Sequence, residues 1–365
     1  MADDFGYHID HHGSLVRPAS LLAARASGLS GAALAAVTDE AVVTLAHELR
    51  RLTLNAMSDG QFRRGYLESV VHDQVAGFAP VVGPTPLADL AGISAARVRA
   101  VPAASALAAA GRLAQAEAAP VLATVDRSVF VTLPSPGYLA GAGSALASAA
   151  DLDAARAAGA ALAAILRDEI AALAADGVMY VALENPLYAP LLTVDGRAAA
   201  AAAGVDVPAA LAALTEADRA LFAGLDVPSH FRVGLDLTDA GPLPTTASGY
   251  EATAVAALLD ETPFPRLSID FPADQATRFP VELVKPGIVV SLGAVDVATP
   301  APETVEEVLG RVDPVAEERG DADIAVATNG GFAQVADQPR MTAAEQRVKL
   351  QLVEMVARYY WGNEI

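Results

Sequence analysis

The chain has 365 residues, 53% of them hydrophobic and only 5% aromatic, with no cysteine and a formal net charge of −20. Without cysteine there is no disulfide framework, thiolate metal site or thiol nucleophile, and so acidic a surface repels a phosphate backbone, which excludes nucleic acid as a partner. With no charge-free apolar span of membrane length, and with Asp3 and Asp4 where a leader would be basic, the expectation is a cytoplasmic protein with no membrane partner.

Short runs rich in Val, Ile or Leu and bounded by Gly, Pro or Asp read as strands buried on both faces. In chain order they fall at 7–13, 54–59, 129–133, 178–183, 231–237, 267–271, 288–292 and 324–327. Helical periodicity appears at 39–54, 152–175, 208–223, 249–259, 303–318 and 342–360. The last of these opens with Thr342 and Glu345, the spacing of a capping box. Strands alternating with helices imply a parallel sheet. Eight such units without a Gly-rich dinucleotide fingerprint predict a closed α/β barrel, (β/α)8, over residues 1–365 as a single domain. Chemistry in such a barrel belongs where strands run into the following loops.

The first such segment reads His8-Ile9-Asp10-His11-His12-Gly13-Ser14-Leu15-Val16-Arg17-Pro18. Strand alternation puts His8, Asp10 and His12 on one side and His11 on the other. The imidazoles suit acid, base or ligand roles, with Arg17 holding an anion; a surface-exposed basic turn is the plain alternative. The second segment is Ser58-Asp59-Gly60-Gln61-Phe62-Arg63-Arg64, where one arginine can pair with Asp59 while the other faces the site. The third is Leu183-Glu184-Asn185-Pro186, whose Glu184 can bind an amine, act as a base or cap a helix. Pro134-Ser135-Pro136 reads as a rigid turn shaping the pocket wall.

Taken in order, these segments resemble the cobalamin-independent methionine synthase family, and in particular its short single-barrel relatives. The family pattern H-x-D-H-V-G-S-L-x-R-P is matched at 8–18 with His12 in place of Val, and T-D-G-E-F-R-R at 58–64 with Gln61 in place of Glu. The P-S-P turn recurs at 134–136, and I-Q-I-D-E-P is matched at 181–186 with Glu184 and Asn185 replacing the Asp-Glu pair. Gly331-Phe332-Ala333 and the stretch 346–362, with Lys349, Leu350 and Trp361, extend the likeness to the end of the chain.

In that family zinc is held by an H-x-C pair, a Glu on the next strand and a Cys before a late Gly-Phe, and it keeps the substrate sulfur as a thiolate. The corresponding residues here read as His230-Phe231-Arg232, Ser268 and Gly330, so only His230 is retained. Arg232 would then bring positive charge to the metal position, and zinc is not expected. An oxygen-rich cation site from His230, Asp236, Asp270 or Asp296 is the metal alternative. The resemblance further implies Ser14 and the position of Gln61 at the substrate's polar end, and a folate methyl donor.

Three functions follow. The first is methyl or alkyl transfer to a small anionic, thiol- or amino-acid-like substrate, with His11, His12, Asp59 and His230 as catalytic candidates. Ser14, Arg17, Gln61, Arg63, Arg64, Glu184 and Arg232 are then the binding candidates. The second is a metal-free lyase, decarboxylase or isomerase, by likeness to uroporphyrinogen decarboxylase, in which Arg17, Arg63 and Arg232 hold carboxylates. The third is a non-catalytic binding protein. The sequence does not give an oligomeric state.

Overall fold

A computed structural model describes residues 8–54, 56–102, 106–126, 128–238 and 248–362. Eight barrel strands run in chain order: β1 (Ile9–Asp10), β2 (Ala56–Met57), β3 (Ser128–Pro134), β4 (Tyr180–Glu184), β5 (Arg232–Asp236), β6 (Arg266–Asp270), β7 (Val289–Val295) and β8 (Ile324–Thr328). They pair in parallel in the order β1-β8-β7-β6-β5-β4-β3-β2, with Glu184 opposite Asp236 and Asp270 opposite Gly293. Between β1 and β2 the seam is drawn together past the strand ends, where Leu15 N–H donates to the Gly60 carbonyl at 3.0 Å. This is the expected (β/α)8 barrel. Tyr7 and Asn55, within two of the expected strands, lie outside the described residues.

The outward side chains, such as Val131, Leu183, Leu235, Ile269, Leu292 and Val326, join the helices in one apolar cluster. Alanine lets those helices approach closely. A Cβ on Gly159 in the helix Ala149–Asp176 would lie 2.4 Å from Ala217 Cβ in the helix Val207–Ala220, so glycine is required there. The expected capping box at Thr342 and Glu345 opens the helix Ala343–Trp361. Among the described residues no single helix is long and apolar enough to cross a membrane.

Inside the barrel the alternation delivers a different population. Ala56, Phe130, Tyr180 and Ala182 form a small separate cluster, and polar side chains share this interior. Arg266 lies 4.0 Å from Asp10, its guanidinium 5.5 Å from the centre of the Tyr180 ring. The segment between β2 and β3, to which the periodicity assigns no element, carries an antiparallel pair (Val75–Ala76 with Ala108–Ala109) and the helices Ser69–His72, Pro86–Leu90 and Gln115–Thr124.

Candidate active site

The ends of β1, β5 and β8 meet through one side chain. His12 adopts φ 55°, a left-handed backbone that is costly for a residue with a Cβ, and Gly13 follows at φ 89°. The turn carries the imidazole across the mouth, where Nδ1 lies 2.7 Å from Asp236 Oδ2 and Nε2 lies 2.5 Å from the Thr328 carbonyl oxygen. A carboxylate and a carbonyl both accept, so the ring donates from both nitrogens, as only an imidazolium can. Burial opposes that charge, but Asp236, with Asp10 and Glu184 beyond it, outweighs burial and pushes the His12 pKa up to about 10. The His12 backbone N–H donates to Asp10 Oδ1 at 3.1 Å. Asp236 Oδ1 in turn accepts from the Thr238 N–H at 2.9 Å and hydroxyl at 2.7 Å.

Simple alternation places His11 on the face opposite His12, and the structure corrects this. β1 stops at Asp10 and the chain then turns, so His11 also faces inward, edge-on to Phe130 with ring centres 4.9 Å apart. Burial pulls its pKa down to about 4, which leaves it neutral, and neither ring nitrogen has a partner among the described residues.

Two further buried carboxyls lie at or just past strand ends. Glu184 ends β4; burial, then the charge of Asp236, lifts it to about 8 against the pull of His12 and Arg97. Asp59 follows β2 and is lifted to about 7 by burial and Glu117, against Arg64. Its Oδ1 accepts the Gln61 N–H at 2.8 Å, which holds Gln61 at φ 57°. Asp59 Oδ2, Gln61 Nε2 and Ser14 Oγ are buried without a partner among the described residues. A Cβ on Gly331 would fall 1.8 Å from Ser14 Oγ, so the glycine is what admits that hydroxyl.

The arginines go elsewhere. Arg17 donates to the carbonyls of Leu15, Gln61, Arg64 and Ala333, tying together the loops after β1, β2 and β8. Neither Arg63 nor Arg64 forms the expected pair with Asp59. Arg63 pairs with Asp39 and donates to the Ala116 carbonyl, while Arg64 holds Glu117 bidentately at 2.7 and 2.6 Å.

His230 and Arg232 need a larger correction. β5 begins at Arg232, so both residues lie at the opposite end of the barrel from the mouth. His230 is exposed, and Arg232 donates to the Ser229 and Phe231 carbonyls of its own turn. The strand end is instead Asp236-Leu237-Thr238, and β6 ends at Asp270, two residues beyond Ser268 in the barrel interior. Gly330 offers only backbone, its carbonyl accepting from the Thr328 hydroxyl at 2.9 Å.

These corrected positions bear on zinc. Asp236 is engaged by His12 and Thr238, and Asp296 by the Ala298 N–H and the Asn329 amide. Among the described residues no three His, Asp or Glu side chains are placed to share a metal ion. The donors of the described residues do not make up a zinc site of three or four protein ligands. Sequence reasoning also passed over Glu68, which receives Arg97 at 2.8 and 3.1 Å and the Tyr138 hydroxyl. Nothing in the local pattern marks that group, because its members come from separate segments of the chain.

No family model matches the sequence, and no curated protein matches it. Among solved structures the chain is similar to a B12-independent methionine synthase from Shewanella sp. W3-18-1 in complex with selenomethionine. The TM-score is 0.71 at 16% identity, over 97% of each chain. It is also similar to a putative vitamin-B12 independent methionine synthase from Listeria monocytogenes, with TM-score 0.62 at 16% identity over 98% of each chain. At these identities the likeness is one of fold, carried through the whole length.

Proposed function

We propose that the chain catalyses alkyl-group transfer, most simply methyl transfer, to a small thiol- or amino-acid-like substrate at the C-terminal mouth of the barrel. Side chains, and not zinc, would manage the proton. The observation that carries this reading is the buried pair of His12 and Asp236, placed between the ends of β5 and β8 with the raised carboxyl of Glu184 on the neighbouring strand end.

In the step, the thiol gives its proton to the Glu184 carboxylate. The freed sulfur electron pair forms the new S–C bond. The bond between the carbon and the donor atom breaks, and its electrons leave with the donor. Glu184 then returns the proton to the released donor or to water. A carboxyl near 8 is well matched to a free thiol near pKa ~8.5, so the transfer is close to isoergic. A folate methyl donor is the donor that the resemblance implies.

The lyase reading asks Arg17, Arg63 and Arg232 to hold substrate carboxylates. Their engagement with backbone carbonyls and Asp39 speaks against it. The test is to incubate the purified protein with small thiols and a methyl-folate donor and to follow thioether by mass spectrometry. Glu184→Gln is expected to lower turnover about 100-fold. No thioether from any thiol would overturn the reading.

A further inference from the structure

Beneath the mouth the barrel holds four charged groups in sequence. Arg266, buried on β6, lies 4.0 Å from Asp10 Oδ2 on β1. Asp10 Oδ1 accepts the His12 backbone N–H at 3.1 Å, and the His12 ring meets Asp236 on β5 at 2.7 Å. The signs alternate from the guanidinium upward: plus, minus, plus, minus. Tyr180 lies beside the lower end, its ring under the guanidinium. Gly234 makes the room, since a Cβ there would stand 2.5 Å from the Tyr180 hydroxyl.

We propose that Asp10 and Arg266 are positioning residues which, with Asp236, form a column of alternating charge that fixes His12 as a charged bridge between the ends of β5 and β8. Each buried charge is expensive alone and tolerable only with an opposite neighbour. Asp236 alone could orient the imidazole, but Asp10 holds the left-handed backbone from which the ring projects. Arg266 sets an opposite charge 4.0 Å from Asp10 in an interior shared with Ala56, Phe130 and Ala182. Among the described residues, the groups facing His12 are Asp10, His11, Glu184, Asp236 and the Thr328 carbonyl. Arg266 is set apart from them by Asp10.

This inference does not depend on alkyl transfer, and its test reads no turnover. Nitrogen-15 NMR of the side-chain imidazoles, with the His12 signals assigned by their loss in His12→Gln, reports protonation at each nitrogen. The expected result is that both His12 nitrogens carry protons at pH 8 in the native protein. In Asp10→Asn the midpoint should fall by about one pH unit or more. Arg266→Gln should lower it in the same direction, because Asp10 loses the guanidinium that anchors it against the His12 backbone, and Arg266→Lys should restore it. The Arg266 pair carries the test if Asp10→Asn does not fold. A His12 midpoint near 6.5 in the native protein would overturn the proposal, as would a midpoint unmoved by Asp10→Asn or by Arg266→Gln.

Discussion

His12 and Asp236 lie 224 positions apart in sequence and meet at 2.7 Å with both side chains buried. Removing one partner leaves the other as an uncompensated buried charge. Asp236→Asn should therefore destabilise the fold by about 3–5 kcal/mol. Urea denaturation at pH 7 checks this; a loss within about 0.5 kcal/mol, as at an ordinary surface site, would rule out an ionised pair.

The same pair sets a pH dependence. The folded-state pKa of His12 is raised to about 10 from an ordinary value near 6.5. Its stabilisation is thus complete below about 6.5, declines as the pH climbs, and is gone above about 10. Glu184 and Asp59, raised to about 8 and about 7, act in the same direction, because ionising them is harder in the folded state. Thermal midpoints should fall between pH 6 and pH 9, and less steeply in Glu184→Gln. A midpoint that rises over that interval contradicts the assignment.

Turnover should follow the opposite course. If Glu184 accepts the proton, kcat/KM rises as the pH passes about 8 and then levels. A profile flat from pH 6 to pH 9 would remove Glu184 as the base.

The two ends of the barrel should respond differently to mutation. Arg17→Ala is expected to cost about 2–4 kcal/mol, because four carbonyls lose a donor, and Arg17→Lys should not rescue it, since an ammonium lacks the planar fork. His230→Ala, exposed at the far end, should change stability by no more than about 0.5 kcal/mol and leave turnover intact. Loss of activity in His230→Ala would restore that residue to the site.

The contrast between these residues also marks what the sequence makes legible. Strands and helices follow from apolar period and caps, so the barrel and the Thr342 capping box can be read directly. The mouth is harder. A run such as 231–237 shows that a strand is present but not that it starts at Arg232 and ends at Asp236, and a shift of four residues moves a side chain from one end of the barrel to the other. His11 is misplaced by alternation because nothing local announces the left-handed turn at His12. Arg17 looks like an anion holder until the carbonyls of three loops are brought around it. These are contacts between distant segments, and no local pattern encodes them.

In the proposed reaction the mouth works through the side-chain pair of His12 and Asp236 and not through zinc. Zinc content of the purified protein, measured with thermal stability before and after dialysis against a strong chelator, tests this most directly. Zinc far below one ion per chain and an unchanged unfolding midpoint are expected. One tightly held zinc per chain, with stability or turnover lost on its removal, would contradict it.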